Sequence, residues 1–255
     1  MRAIRAIAVN TFREAIRDRI LYLFVGFAVV MVMSTKLFGM LTVGDETKIV
    51  KDIGLASMQF FSMLIAVMMS MILISREVDN RTVFNILAKP VRRWQFILGK
   101  YMGLVMIVAA NLLLISIVLM VMVRIVAGEF DVMLLFASTM IMLEMLVLAA
   151  FATLFAVLTK PILGSLMTLA VYVVGHLSAD LWLLTRQLPG ELTRTMIAIV
   201  YYLLPNLERF DFSTEIVHGL PVPGAAVIWA VVYAFAFVAV VLYLATLRFR
   251  GKDLK

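Results

Sequence analysis

Six apolar stretches organise the chain. The first runs from Ile20 to Thr35 and reaches about residue 38 if Lys36 snorkels to the interface. The others are Ile53–Ser75, Tyr101–Val123, Val132–Leu158, Ile162–Leu184 and Ala225–Leu247. A helix of about 20 residues crosses a hydrocarbon core. Five of the stretches meet that length easily, the fourth has residues to spare for tilt, and the first is the shortest. The runs are continuous rather than alternating, which predicts spanning helices and not the strands of a barrel.

Composition agrees with lipid as the solvent. Apolar residues make up 64% of the 255 and charged residues 15%, against roughly 45–50% and 25% in a soluble domain. A surface with so few polar groups cannot face water on all sides. The length fits one membrane domain over residues 1–255 and leaves no room for a second large soluble one. No small-residue cleavage site follows the first apolar run, so that run is expected to remain as an anchor. There is no cysteine, which excludes disulfides and thiolate metal sites. The formal net charge is +7, and the basic residues sit beside apolar spans. They fit anionic membrane lipid and topology, and no nucleic-acid partner is expected. Sixteen of the 23 Lys and Arg residues fall in segments 1–19, 76–100, 159–161 and 248–255. The positive-inside rule therefore places both termini in the cytoplasm of a multi-pass protein of the inner (plasma) membrane.

Three segments outside the spans have a character of their own. Residues 2–19 read as an amphipathic helix on the inner surface, with Ile4, Ala8, Thr11, Phe12, Ala15 and Ile16 on one side. Arg2, Asn10, Arg13, Glu14 and Arg17 lie opposite, and Arg5 interrupts the apolar side. The plainer alternative is a basic flank that only fixes topology. Residues 76–100 form a cytoplasmic loop with a short apolar run, Val83, Phe84, Ile86 and Leu87, that Asp79 or Asn80 could cap and Pro90 would end. Residues 185–224 form an outer segment punctuated by Pro189, Pro205, Pro221 and Pro223. Its apolar run Met196–Leu204 is too short to span, and reads as a re-entrant or interfacial helix or as part of an outer cap.

The inventory for catalysis is thin. The only histidines are His176, in the fifth span, and His218, in the outer segment. The zinc motif H-E-x-x-H, the nucleophile elbow G-x-S-x-G and the phosphate loop G-x-x-x-x-G-K-[ST] are all absent. The chain carries no catalytic set, no metal site and no cofactor of its own. Glu144 lies deep in the fourth span, where a carboxyl needs a cavity, a proton or a hydrogen-bonding neighbour such as Asn111 or a serine. Glu144, Asn111 and His176 are the candidates for a transport pathway, with plain interhelical bonding as the alternative. The 19 methionines are spread through the spans; without a water-facing cluster they read as packing rather than as a copper site. Gly99 and Gly103 form a single G-x-x-x-G, which permits close helix approach.

The loop after the second span carries a resemblance. REVDNRTVFNILAKPVRRWQFILGK resembles the cytoplasmic loop of ABC-2 type transporter permeases, with Glu77, Thr82, Leu87, Pro90, Arg92, Arg93, Gly99 and Lys100 at the matching positions. AVNTFREAIRDRILYLF is similar to that family's N-terminal interfacial helix through Phe12, Glu14, Arg17 and Tyr22. The resemblance covers the whole chain in layout and about 45 residues in motif. It implies an all-α membrane fold of six transmembrane helices, type II ABC exporter-like, with a cytoplasmic coupling helix. It also implies that ATP and Mg bind a separate ABC ATPase subunit, and that a second permease chain completes a homo- or heterodimer. Glu77, Arg81, Thr82, Phe84, Asn85 and Leu87 would contact the ATPase. The function implied is that of the permease subunit of an exporter. A membrane assembly scaffold and a secondary transporter are the alternatives, the latter disfavoured because midplane polar residues are few.

Overall fold

A computed structural model of the chain describes residues 2–40, 45–75, 92–128, 130–178, 195, 198, 201 and 204–250. Among them the regular structure is helical. The principal helices are α1 (Arg2–Ile16), α2 (Arg19–Met40), α3 (Glu46–Ser70), α4 (Arg93–Ala127), α5 (Met133–Leu158), α6 (Pro161–His176), α7 (Ser213–His218) and α8 (Gly224–Arg250). A π-helical turn, Met71–Ser75, continues α3, and a 3-10 turn, Glu208–Phe210, precedes α7. Five helices, α2, α3, α4, α5 and α8, are long and apolar enough to cross a membrane, and α6 is a shorter apolar helix.

The helix ends explain where sequence and structure differ. The apolar run predicts a second span from Ile53, yet α3 begins at Glu46. Its polar first turns are held by ion pairs, Lys48 to Asp45 at 3.1 Å and Lys51 to Asp131. Likewise α4 begins at Arg93, so residues 93–100 are helix rather than loop. There the Gln95 carboxamide oxygen accepts from the Arg92 backbone N–H at 3.0 Å, closing the first turn. Arg93 donates to the Phe249 carbonyl at 2.9 Å. Phe96 stacks on the Phe249 ring with centroids 5.5 Å apart, and Lys100 lies 3.8 Å from Glu14. At 35 residues, α4 is about 52 Å long, well beyond the ~30 Å of hydrocarbon it would cross. Gly128, at φ 80°, ends it in the left-handed conformation, its N–H bonded to the Arg124 carbonyl at 3.1 Å.

Short links join successive helices. Arg17 and Asp18 turn α1 into α2, with Asp18 Oδ1 accepting from the Ile20 N–H at 2.9 Å. Thr159 and Lys160 turn α5 into α6, whose first residue is Pro161, a position where the missing N–H costs nothing. The helices α3 and α5 form the buried centre, while α2 and α8 are the most exposed. Their outward faces carry Tyr22, Phe27, Leu37, Trp229, Phe235 and Tyr243. The buried apolar residues form two clusters. One runs from the end that carries α1, around Ile74, Phe96, Ile97 and Phe249, to Leu207 and Phe210 beside the end of α6. The other lies toward the opposite end, around Leu55, Leu119, Phe212 and Ile216.

In lipid, apolar burial contributes little to helix association, so close packing and polar contacts must supply it. The two glycines of the G-x-x-x-G do this for α1. Ala8, Thr11 and Ala15 are its buried residues and lie at helical spacing on one side. Ile7, Ala8 and Thr11 lie against α4 where the glycines leave no side chain. A Cβ at Gly99 would stand 2.7 Å from Ile7 Cβ, and one at Gly103 would stand 2.6 Å from Thr11 Cβ and 2.9 Å from the Ala8 carbonyl oxygen. Of residues 2–19, Arg2–Ile16 are helical, with Ala8, Thr11 and Ala15 buried, while Ile16 of the expected apolar side is exposed. Arg2, Arg5, Asn10, Arg13 and Arg17 are exposed.

The segment expected to couple, residues 76–91, lies outside the described residues, as does most of the run Met196–Leu204 and the predicted end of the fifth span, 179–184.

Gly103→Ala forces Thr11 and the α1 backbone to shift and should destabilise the protein by about 1–3 kcal/mol, the usual cost of overpacking. Gly26→Ala, where a Cβ meets nothing within 4 Å, should be neutral or stabilising by up to ~1 kcal/mol. Thermal unfolding of the two variants in one detergent checks the contrast.

Candidate functional site

Three helices bring their polar side chains to one place. Gln59 comes from α3, Glu144 from α5 and His176 from the last turn of α6. Gln59 Nε2 donates to Glu144 Oε2 at 2.8 Å and lies 3.0 Å from His176 Nε2. Glu144 Oε1 faces the same imidazole nitrogen at 3.4 Å. Glu144 is fully buried, whereas the His176 side chain keeps 24% of its surface open. The Tyr172 ring, one turn earlier on α6, lies 4.4 Å from the imidazole.

The segment before α7 folds over this cluster. The Leu207 N–H donates to the Gly175 carbonyl at 3.0 Å. The approach requires a residue without a side chain, since a Cβ on Gly175 would come within 2.8 Å of the Pro205 carbonyl oxygen. The Asn206 N–H donates to the Tyr233 hydroxyl at 2.8 Å, which fixes the same segment to α8.

Asn111 or a serine is one of the neighbours the sequence offers Glu144; in the structure its neighbours are Gln59 and His176. Asn111, on α4, donates to Ser62 Oγ at 3.1 Å and is itself buried. Gln59 and Ser62 are three residues apart on α3 and address different neighbours, α5 and α4. So Glu144 and His176 are brought together, and Asn111 belongs to a separate tie. Gln59 was not foreseen. Its signal was present: a long carboxamide in the run Ile53–Ser75 cannot remain unbonded in an apolar surrounding, and so implies a polar partner on a neighbouring helix. A third polar contact joins α4 and α5, where Ser116 Oγ and Ser138 Oγ lie 2.5 Å apart near Met58 Sδ.

The remaining candidates divide. Glu77, Arg81, Thr82, Phe84, Asn85 and Leu87 lie outside the described residues. Their flanks do not: the π turn at the end of α3 and the start of α4 sit at the end of the bundle that carries α1. His218 closes α7 and lines a cleft of about 700 Å³ with Asp45, Glu46, Lys51 and Asp131. Among the described residues no three His, Cys, Asp or Glu side chains gather as a metal would require. Met69 and Met71 are buried, and Met71 Sδ packs where α6 crosses at Gly164, as packing residues do.

The site holds no nucleophile beside a base. It offers a carboxyl, an amide and an imidazole, groups that bind, orient and exchange protons. Such a helical bundle is a multi-pass membrane protein. The model of the ABC-2 family transporter proteins matches residues 16–176, more than half of the 255-residue chain, and the chain belongs to that family. No curated protein sequence matches it significantly. Membership makes the chain a permease component of ABC transport, a membrane part and not a catalytic one.

Gln59→Leu removes the donor that serves both Glu144 and His176. It should destabilise the protein by about 1–3 kcal/mol, the cost of leaving buried acceptors unmet. Adding Glu144→Leu should return part of that loss. A double-mutant cycle on thermal stability checks the coupling, expected near 1 kcal/mol.

Proposed function

We propose that the chain is the membrane subunit of an ATP-driven exporter, moved by an ABC ATPase on a separate chain and paired with a second permease chain. The observation that carries the proposal is the match of an ABC-2 family transporter model to residues 16–176. The sequence supports the division of labour, because it has no phosphate-binding loop. ATP and Mg therefore belong to the partner.

In this reading the apolar stretch beginning at α6 continues through residues 177–184 to make a sixth span. The protein sits in the inner membrane with both termini in the cytoplasm, as the Lys and Arg distribution favours. The end that carries α1 then faces the ATPase. Residues 76–91 link the end of α3 to the start of α4 at that end, and Glu77, Arg81, Thr82, Phe84, Asn85 and Leu87 make the contact. A push on this loop reaches α4 directly, and α1 moves with α4 because Gly99 and Gly103 seat it there. Arg93 and Phe96 carry the same displacement to α8 through Phe249. Domain closure driven by nucleotide thus becomes helix motion. Of the three pathway candidates, His176 has an open edge. Glu144 and Asn111, enclosed between helices of one chain, hold the helices in register.

The full chain in detergent should retain an ABC ATPase subunit from the same cell. Phe84→Asp should reduce that retention at least about tenfold by placing a charge in a desolvated anchor position, with the helical circular dichroism unchanged. Undiminished retention by the variant contradicts the coupling assignment. Capture of no nucleotide-binding partner by the unaltered chain favours a scaffold role instead.

A further inference from the structure

The hydrogen-bond geometry of the intramembrane cluster assigns protons atom by atom. His176 Nδ1 lies 3.1 Å from the Tyr172 carbonyl oxygen. A carbonyl only accepts, so Nδ1 carries a hydrogen. Gln59 Nε2 lies within hydrogen-bond distance of both Glu144 Oε2 and His176 Nε2. An amide nitrogen has two hydrogens and accepts none, so it donates one to the carboxylate and one to the imidazole. Nε2 is therefore the acceptor of a neutral histidine in this arrangement. Glu144 Oε1 is then left facing that nitrogen at 3.4 Å, buried and with no hydrogen-bond donor of its own. Two acceptors confront each other across a gap that one hydrogen would close.

We infer that Glu144 Oε1 and His176 Nε2 form a proton-binding site, which takes up one proton from water and holds it between them. The balance is simple. Hydronium gives up H⁺ and leaves water; no electron moves and no heavy-atom bond breaks. Whether the hydrogen sits on nitrogen or oxygen, it donates to the other atom and satisfies Oε1. Uptake has one consequence for the neighbours. A proton on Nε2 displaces the N–H of Gln59, so the α3–α6 bond is exchanged for an α5–α6 bond.

The surroundings suit a proton that comes and goes. The His176 side chain is partly exposed, while Glu144 is closed off. Among the described residues, three groups face the pair. On α6 itself there is Tyr172, whose ring lies against the imidazole. From α3 there is Gln59, which is neutral. From the segment following the 3-10 turn there is the Asp211 carboxylate, which acts electrostatically on both Glu144 and Tyr172. The bond exchange lies under the segment that Leu207 ties to Gly175. Proton uptake thus alters how the end of α6 is held, and with it the segment folded over it. This site stands apart from the ATPase reading, because it belongs to one chain and needs no partner to be observed.

The test uses the full chain in lipid nanodiscs with ¹⁵N-labelled imidazole. The chain has two histidines, so His218→Gln leaves His176 as the sole signal. At alkaline pH the spectrum should show the Nδ1–H tautomer with Nε2 unprotonated. As pH falls, Nε2 should gain a hydrogen while Nδ1 keeps its own. Adding Glu144→Gln, which keeps the shape but removes the acceptor charge, should displace that transition. The tautomer is read in the background that retains Glu144, so that arm does not depend on Glu144→Gln folding. An Nε2–H tautomer at alkaline pH overturns the proposal. So does a transition that Glu144→Gln leaves in place, or the lack of any change at Nε2 between about pH 4 and pH 9.

Discussion

The seat of α1 on α4 is the contact from which the rest of one end of the molecule takes its position. Gly99 and Gly103 remove two side chains from α4, and Ile7 fills the space at the first while Thr11 and the Ala8 carbonyl fill it at the second. Helices that approach this closely gain dispersion contacts that bulkier pairs forgo, and in lipid such contacts matter because apolar burial drives little association. The geometry fixes an amphipathic helix and the start of the longest helix as one unit. Lys100 and Glu14 add an electrostatic tie across the same joint. Arg93 and Phe96 extend the unit to the end of α8. A force applied to the segment between Ser75 and Arg92 therefore acts on a block rather than on a single helix.

Deeper in the bundle the organising term is polar. Gln59, Glu144 and His176 link α3, α5 and α6; Asn111 and Ser62 link α4 and α3; Ser116 and Ser138 link α4 and α5. Tyr101 on α4 donates to the Leu146 carbonyl of α5 at 3.1 Å. Each of these groups would be costly without its partner, so together they specify which helices are neighbours and in what register. Apolar packing alone would tolerate several arrangements of helices so similar in composition.

Much of this was legible in the sequence. Continuous apolar runs identified the helices, because a hydrocarbon core imposes a length and leaves no other use for such runs. The glycine pair and the amphipathic start were visible for the same reason: helical spacing converts directly into a face. The helix beginnings were not visible. Hydropathy measures the preference for lipid, not for helix, so Glu46–Asp52 and Arg93–Lys100 read as loop although ion pairs and a carboxamide cap hold them helical. Nor is the partner of Glu144 legible. A run such as Ile53–Ser75 shows that Gln59 needs a bond, but the rotation of α3 that points Gln59 at α5 and Ser62 at α4 is a property of tertiary packing.

In the proposed transporter, the end carrying α1 meets the nucleotide-driven partner and hence lies in the cytoplasm. The chain has no cysteine, so single cysteines report without background. With a membrane-impermeant maleimide on intact cells, Ser213→Cys is expected to label from outside, and Thr82→Cys only after the membrane is opened. Labelling of Thr82→Cys in intact cells, with Ser213→Cys protected, contradicts the account.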